Sequence, residues 1–293
     1  FVAEDRDAAA YLMNDFYNLL DEKQVYFFPS SYKRSVAYGA EDAQGVVQRT
    51  AAMNAVKGFT KGYLIVCTYP EALAERVADA EALRRDTIAV KVGDSISIAV
   101  LEDALVDANF TRVDFVYEPG QYSVRGGIVD VFSFSESKPY RIDFIGDEVD
   151  SIRRFNISSQ LSADKLDRVE IIPNLNAGDG AAKVSFVQFA GDAAAYWFYD
   201  ADYVLRRVND IRRKTLADME RPEEIDRLMT SRNALLGDLA NCRMLALRDN
   251  LPERPATAAV EFDTAPQPKF NKNFEMLADD MIRNSLRGYT TYI

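Results

Sequence analysis

Between Glu118 and Phe155 the chain reads EPGQYSVRGGIVDVFSFSESKPYRIDFIGDEVDSIRRF, and this stretch limits the fold more than any other. It combines short β-like runs with two glycine-marked turn signals and a dense set of charges. Over Tyr140–Gly146, Tyr140, Ile142 and Phe144 fall on one side and Arg141, Asp143 and Ile145 on the other, because successive strand side chains point to opposite faces. The first set is a core face. The second mixes charge with one apolar residue, which suits either a contact patch with an apolar centre or an ordinary solvated face carrying a stray isoleucine. Gly146-Asp147-Glu148 marks a tight turn, since glycine supplies the positive φ such turns need. Arg125-Gly126-Gly127 reads as a phosphate nest or as a bend or bulge. The absence of P-loop spacing around it favours the bend. Asp143, Asp147 and Glu148 resemble no calcium loop, and carboxylates at turns are usually solvated. The stretch is expected to be a sheet that displays a recognition surface, not a catalytic centre.

The flanks follow a different grammar. Helical spacing over Asp5–Leu20, a strand at Val25–Phe28, a helix over about Glu41–Val56, a strand at Tyr63–Thr68, a helix from Pro70 to Arg76 and a strand at Thr87–Val92 predict a parallel α/β sheet. A helix over about Ser97–Ala108 leads to a strand at Val113–Val116, and from there to Ile172 every element reads as a strand with short connections. After the loop Asn174–Gly180 the pattern is mixed again. It predicts strands at Val184–Phe189 and Ala194–Phe198, helices over Asp202–Glu220 and Glu223–Leu239, and strands at Arg243–Leu247 and Ala258–Phe262. A linker at Thr264–Pro268 precedes an amphipathic helix over Phe274–Leu286 and a strand at Thr290–Ile293. The first and last residues read as interrupted strands, so a piece of a larger protein is expected. The predicted class is α/β, a parallel-sheet domain interrupted by a small, mainly antiparallel β-rich domain. The expected division is 1–96, 97–175, 176–263 and 264–293.

Composition removes several functions. The chain has 293 residues, 35 Lys and Arg against 46 Asp and Glu, and a net charge of −11, which disfavours a module built to grip nucleic acid. It has no histidine, which excludes serine–histidine and cysteine–histidine catalysis and the commonest zinc sites. Cys67 lies in an apolar run and is expected to be a buried thiol; with Cys242 it makes no disulfide framework. No apolar run approaches the ~18 residues that span a bilayer, and a cytoplasmic protein without membrane partners is expected. Gly58-Phe59-Thr60-Lys61-Gly62 has the letters of a nucleotide loop but precedes its strand, so it cannot present amides at a helix N-terminus. Tyr122, Phe132 and Phe134 are expected in the core and not as a base-stacking platform.

The runs Glu118–Phe132, Tyr140–Phe144 and Gly146–Arg153 together resemble the UvrB-like family, which includes damage-recognition helicases and transcription-repair coupling factors. The patterned resemblance covers about residues 113–173. It implies an α/β domain interrupted by a small domain that binds the excision-repair protein UvrA, with Arg125, Arg141, Ile145, Asp147 and Glu148 facing that partner. Members often carry Phe where Ile145 stands, and proline where Ser133 stands. The coupling-factor branch is favoured, because the family's helicases carry an upstream Walker motif and a tyrosine-rich DNA-clamping hairpin where this chain has only Ser30–Gly45. On that reading the chain has no catalytic residue, metal site or cofactor of its own. ATP and Mg would serve a motor further along the full-length protein, and RNA polymerase and DNA would meet other domains. The alternative is a fragment of a family helicase that binds nucleotide and damaged DNA.

Overall fold

The computed structural model describes residues 1–32, 42–175, 182–247, 256–263 and 268–291. The chain divides into two compact units, Phe1–Arg254 and Pro255–Ile293. The first opens with α1 (Arg6–Leu19), a 3-10 turn at Glu22–Gln24, β1 (Val25–Phe27), α2 (Ala43–Gly58), β2 (Ile65–Cys67) and α3 (Pro70–Ala74). Then come β3 (Val77–Ala78), α4 (Ala80–Asp86), β4 (Ile88–Lys91) and α5 (Ile98–Asp107). A run of strands follows: β5 (Thr111–Arg112), β6 (Gln121–Arg125), β7 (Ile128–Val131), β8 (Tyr140–Ile145), β9 (Glu148–Phe155), β10 (Ser162–Leu166) and β11 (Arg168–Ile171). The unit closes with β12 (Lys183–Val184), α6 (Phe186–Ala190), β13 (Ala195–Phe198), α7 (Ala201–Asp218), α8 (Ile225–Leu228), α9 (Arg232–Leu239) and β14 (Arg243–Ala246).

Polar residues start these helices where the sequence places them. The side chains of Asp5, Asp79, Ser97, Ser185, Asp200 and Ser231 each accept from a backbone N–H in the first turn of the helix that follows. Each such cap is worth about 1 kcal/mol.

Outside the central strands, parallel pairing joins β1 with β2 and β13 with β14. Val2 makes a parallel bridge to Thr68 on one side and to Phe198 on the other. The Val2 amide donates to the Trp197 carbonyl and the Ala3 amide to that of Thr68. The first residues of the chain therefore lie between β2 and β13. Beneath this sheet the Arg49 side chain, 1% exposed, donates to the carbonyls of Pro29, Ala72 and Glu75, and its guanidinium carbon lies 4.1 Å from the Phe28 ring centroid. The Glu75 carboxylate sits 3.6 Å from Arg49 and accepts from the Ser31 amide and from the hydroxyls of Ser30 and Ser31. Burial pushes the Arg49 guanidinium below its ordinary pKa, and Glu75 opposes that shift. Cys67, fully buried, has its thiol pushed up to about 11 by desolvation, which keeps it protonated and unreactive near neutral pH.

The central strands form a six-stranded sheet in the order β10-β9-β8-β7-β6-β5, antiparallel except for the β5–β6 edge. One face packs on α5 through Leu101 and Leu105 and on Val90, Val169 and Ile171, forming a second core separate from that of the parallel strands. Tyr140, Ile142 and Phe144 occupy this core as alternation requires, and burying each contributes about 2–3 kcal/mol. Tyr122 and Phe132 are buried and Phe134 packs against the same cluster, so these aromatics are core residues.

The hairpin between β6 and β7 turns on Gly126, whose φ of +59° suits the first position of a type II′ turn. Gly127 is needed for space: a Cβ there would stand 2.9 Å from the carbonyl oxygen of Phe144 on β8, whose amide donates to the Gly127 carbonyl. Gly127→Ala is expected to cost about 1–3 kcal/mol, since backbone must move. A melting temperature within 1–2 °C of the unaltered chain, on the order of measurement scatter, would contradict this close approach.

Several elements depart from the sequence reading. The strand expected at Thr87–Val92 as the third parallel strand is β4, and it pairs antiparallel with β11. At Val113–Val116 there is no strand: only Thr111–Arg112 pairs with β6, and the Asp114 carbonyl is taken by the Arg125 side chain. The strand expected at Val184–Phe189 stops at Val184, because Ser185 caps α6 and Gly191, at φ +80°, ends it. The single helix expected over Glu223–Leu239 is broken at Met229–Ser231. There Met229 bridges to Glu75, the Thr230 amide donates to the Ala74 carbonyl, and Ser231 caps a new helix. Helix α4 was not anticipated.

In the second unit Asn273 caps α10 (Phe274–Leu286), whose bounds match the expected helix. Residues 258–262, expected as a strand, are irregular and exposed, with Val260 and Phe262 unburied, so no ladder forms there. Most of the loops expected at Asn174–Gly180 and Thr264–Pro268, much of Ser30–Gly45, and the end of the strand expected at Thr290–Ile293 lie outside the described residues.

Candidate functional site

The second face of the six-stranded sheet carries the residues singled out from the sequence. Pairing places Arg125 opposite Ile128 and Ile128 opposite Asp143 in one row, and Ser123, Asp130, Arg141 and Arg153 side by side in the next. Asp130 is 1% exposed and is the hub of this face. Arg141 grips it with two parallel bonds, Nε to Oδ1 at 2.7 Å and Nη2 to Oδ2 at 2.8 Å. Arg125 reaches the same carboxylate from the neighbouring strand and also donates to the Asp114 carbonyl and the Ser123 hydroxyl. The bidentate bond to Asp130 holds the Arg141 guanidinium above its ordinary pKa, against the opposing effect of burial. Its guanidinium carbon lies 4.4 Å from the Phe155 ring centroid, and Gln160 accepts from it as well.

Arg141 is thus half-buried and committed to the sheet, where alternation alone places it facing outward. Asp143 likewise accepts from the Ser151 hydroxyl and from Arg153. It is held by these donors and does not gather with Asp147 and Glu148. Among the described residues no group of acidic and cysteine side chains is arranged to hold a metal.

The tip of the β8–β9 hairpin is different. Ile145 pairs with Glu148 across Gly146-Asp147, and Ile145 is 70% exposed. Asp147 and Glu148 are exposed too. Gly146, at φ +64°, makes the turn. The tip is braced from one side, because the Ile96 amide donates to the Asp147 carbonyl, the Val149 amide to Asp94, and the Gly93 amide to Val149. This arrangement offers chemistry for binding: an apolar side chain and two carboxylates on a rigid hairpin, beside arginines fixed by ion pairs.

The structure therefore brings Arg125 and Arg141 together on one carboxylate and Ile145, Asp147 and Glu148 together at the hairpin tip. Sequence reasoning missed Asp130. Its signal was an acid inside the otherwise apolar run Ile128-Val129-Asp130-Val131, where a buried charge requires partners.

Comparison with known proteins agrees with the resemblance read from these residues. The profile of the UvrB interaction domain matches residues 88–176. The chain is similar to the transcription-repair-coupling factor of Bacillus subtilis (strain 168), with 30% identity over 161 residues, 55% of this chain and 13% of that protein. Identity to the Haemophilus influenzae transcription-repair-coupling factor is 33% over 101 residues, 34% of this chain and 9% of that protein. For the Escherichia coli K12 protein it is 30% over 128 residues, 44% of this chain and 11% of that protein. The matched region is a small part of each of these relatives. No helix among the described residues is long and apolar enough to cross a membrane.

Proposed function

We propose that this chain is a non-catalytic docking module that recruits UvrA in transcription-coupled nucleotide excision repair, as the UvrB-like part of a coupling factor. The observation that carries the reading is the braced, exposed tip Ile145–Glu148 beside the Arg125–Asp130–Arg141 cluster, all within the region that matches the UvrB interaction domain. Rigidity favours such a surface, because little conformational freedom is lost on binding. An apolar residue rimmed by charge is also the usual make-up of an interface centre. The absence of histidine and the buried, protonated Cys67 thiol fit a role without chemistry. ATP hydrolysis, DNA translocation and contact with RNA polymerase belong, on this reading, to other parts of the full-length protein.

Calorimetric titration of the chain with UvrA tests the proposal. Saturable binding is expected, and Ile145→Asp should weaken it about tenfold or more. Since Ile145 is exposed, the same variant should melt at the temperature of the unaltered chain. Failure of the unaltered chain to bind UvrA would sink the docking reading.

A further inference from the structure

Phe115 is a large aromatic left 48% exposed in the irregular segment that follows β5. Its position is not casual. The guanidinium carbon of Arg125 lies 5.0 Å from its ring centroid, and the same guanidinium donates to the carbonyl of the preceding residue, Asp114, at 2.9 Å. The ring is thus tied to the end of β6 through the arginine that also grips Asp130.

From there a row crosses the sheet. Arg125 pairs with Ile128, Ile128 with Asp143, and Ile145 lies two residues further along β8 on the same face. With strands about 4.8 Å apart, Phe115 and the hairpin tip flank a strip roughly 10–15 Å wide. That fits easily within the ~800 Å² that each partner contributes to an interface of standard size. Ile128 and Asp143, both partly buried, form the floor of the strip between them.

The charge beside Phe115 also has a direction. Arg125 and Arg141 share the carboxylate of Asp130, while Asp143, which also attracts the Arg141 charge, is itself paired with Arg153, so three arginines face two carboxylates. The cluster therefore keeps a positive charge on a chain whose net charge is −11. A cation already stacked on an aromatic face loses little by accepting a carboxylate at its edge.

We infer that the docking surface extends across this strip and that Phe115, with Arg125 laid against it, is a second apolar anchor for the same partner. The partner segment that fits is a protein surface with an apolar recess bordered by a carboxylate: the recess receives the Phe115 ring and the acid meets Arg125. The inference rests on the docking reading above. It assigns to this chain an anchor larger than Ile145 and at the opposite end of the contact.

Titration of UvrA with the Phe115→Ala, Phe115→Leu and Tyr11→Ala chains decides it. Phe115→Ala is expected to weaken binding about tenfold or more, as loss of an aromatic anchor does. Phe115→Leu should recover part of that loss. Tyr11→Ala, which removes an aromatic 75% exposed on α1, should bind as the unaltered chain does. Circular dichroism and melting confirm that each variant is folded. Unaltered affinity for a folded Phe115→Ala chain would overturn the second anchor while leaving the docking module intact. Failure of the unaltered chain to bind UvrA at all would remove the docking reading itself, and this extension with it.

Discussion

Replacing Asp130 with alanine is expected to lower the unfolding free energy by about 3–5 kcal/mol, the usual consequence of removing one partner from a buried ionic cluster. The carboxylate is 1% exposed and satisfies two guanidiniums from neighbouring strands. Without it, Arg141, with only 15% of its side chain exposed, keeps its charge beside Arg125 with nothing between them. Asp130→Asn, which preserves volume but not charge, should fall between the two. Urea unfolding of the chain with an unchanged slope is the measurement, and a loss below about 1 kcal/mol would mean that the arginines do not depend on Asp130. The cluster also governs how binding experiments are read. Arg141→Glu would set a second carboxylate against Asp130, so weaker partner binding would mix a folding defect with a lost contact. Arg141→Lys is the cleaner probe, because it keeps the charge and gives up the bidentate geometry.

An effect of similar size is expected at the other core. Arg49→Met should cost about 3–5 kcal/mol, because it leaves the Glu75 carboxylate buried without a cation and three carbonyls without their donor. The thioether fills part of the space but cannot donate. Adding Glu75→Gln should restore some of the loss, since an amide can still meet Ser30 and Ser31 and carries no charge to strand. The double variant should therefore be more stable than the sum of the two single losses predicts, by at least ~1 kcal/mol. Strict additivity in denaturant melts would show that the two residues do not act as a pair.

What could be read from the sequence was local. The Tyr140–Ile142–Phe144 face, the turns at Gly126 and Gly146, and helices such as Arg6–Leu19 and Phe274–Leu286 each follow from neighbours a few residues apart. Ile145 could be placed on the outer face for the same reason. What escaped depends on long-range pairing. The partner of Ile88–Lys91 is Arg168–Ile171, and nothing in the strand's own pattern shows it. The break at Met229–Ser231 arises because Ala74 and Glu75 capture that backbone. The outer face of the sheet suffered similarly: Arg141 is outward by parity, yet its commitment to Asp130 appears only once β7 and β8 are in register. Phe115 falls in the strand expected at Val113–Val116, which does not form, so its link to Arg125 was invisible as well.

Residues 1–3, lying between β2 and β13, give the parallel sheet a consequence for the economy of the whole chain. Val2 meets Thr68 on one side and Phe198 on the other, so seating one short segment closes two very long loops together. The entropy of loop closure grows only slowly with length, about 0.6 kcal/mol per doubling. Most of that cost is therefore spread over contacts that form or fail as one. The antiparallel sheet between them joins each strand to its sequence neighbour and needs no such closure. Its hairpins have low contact order, the property that goes with fast assembly. The antiparallel sheet is thus the part of the chain that local contacts can complete, and the parallel strands are the part that must wait for residues 1–3 to meet Thr68 and Phe198.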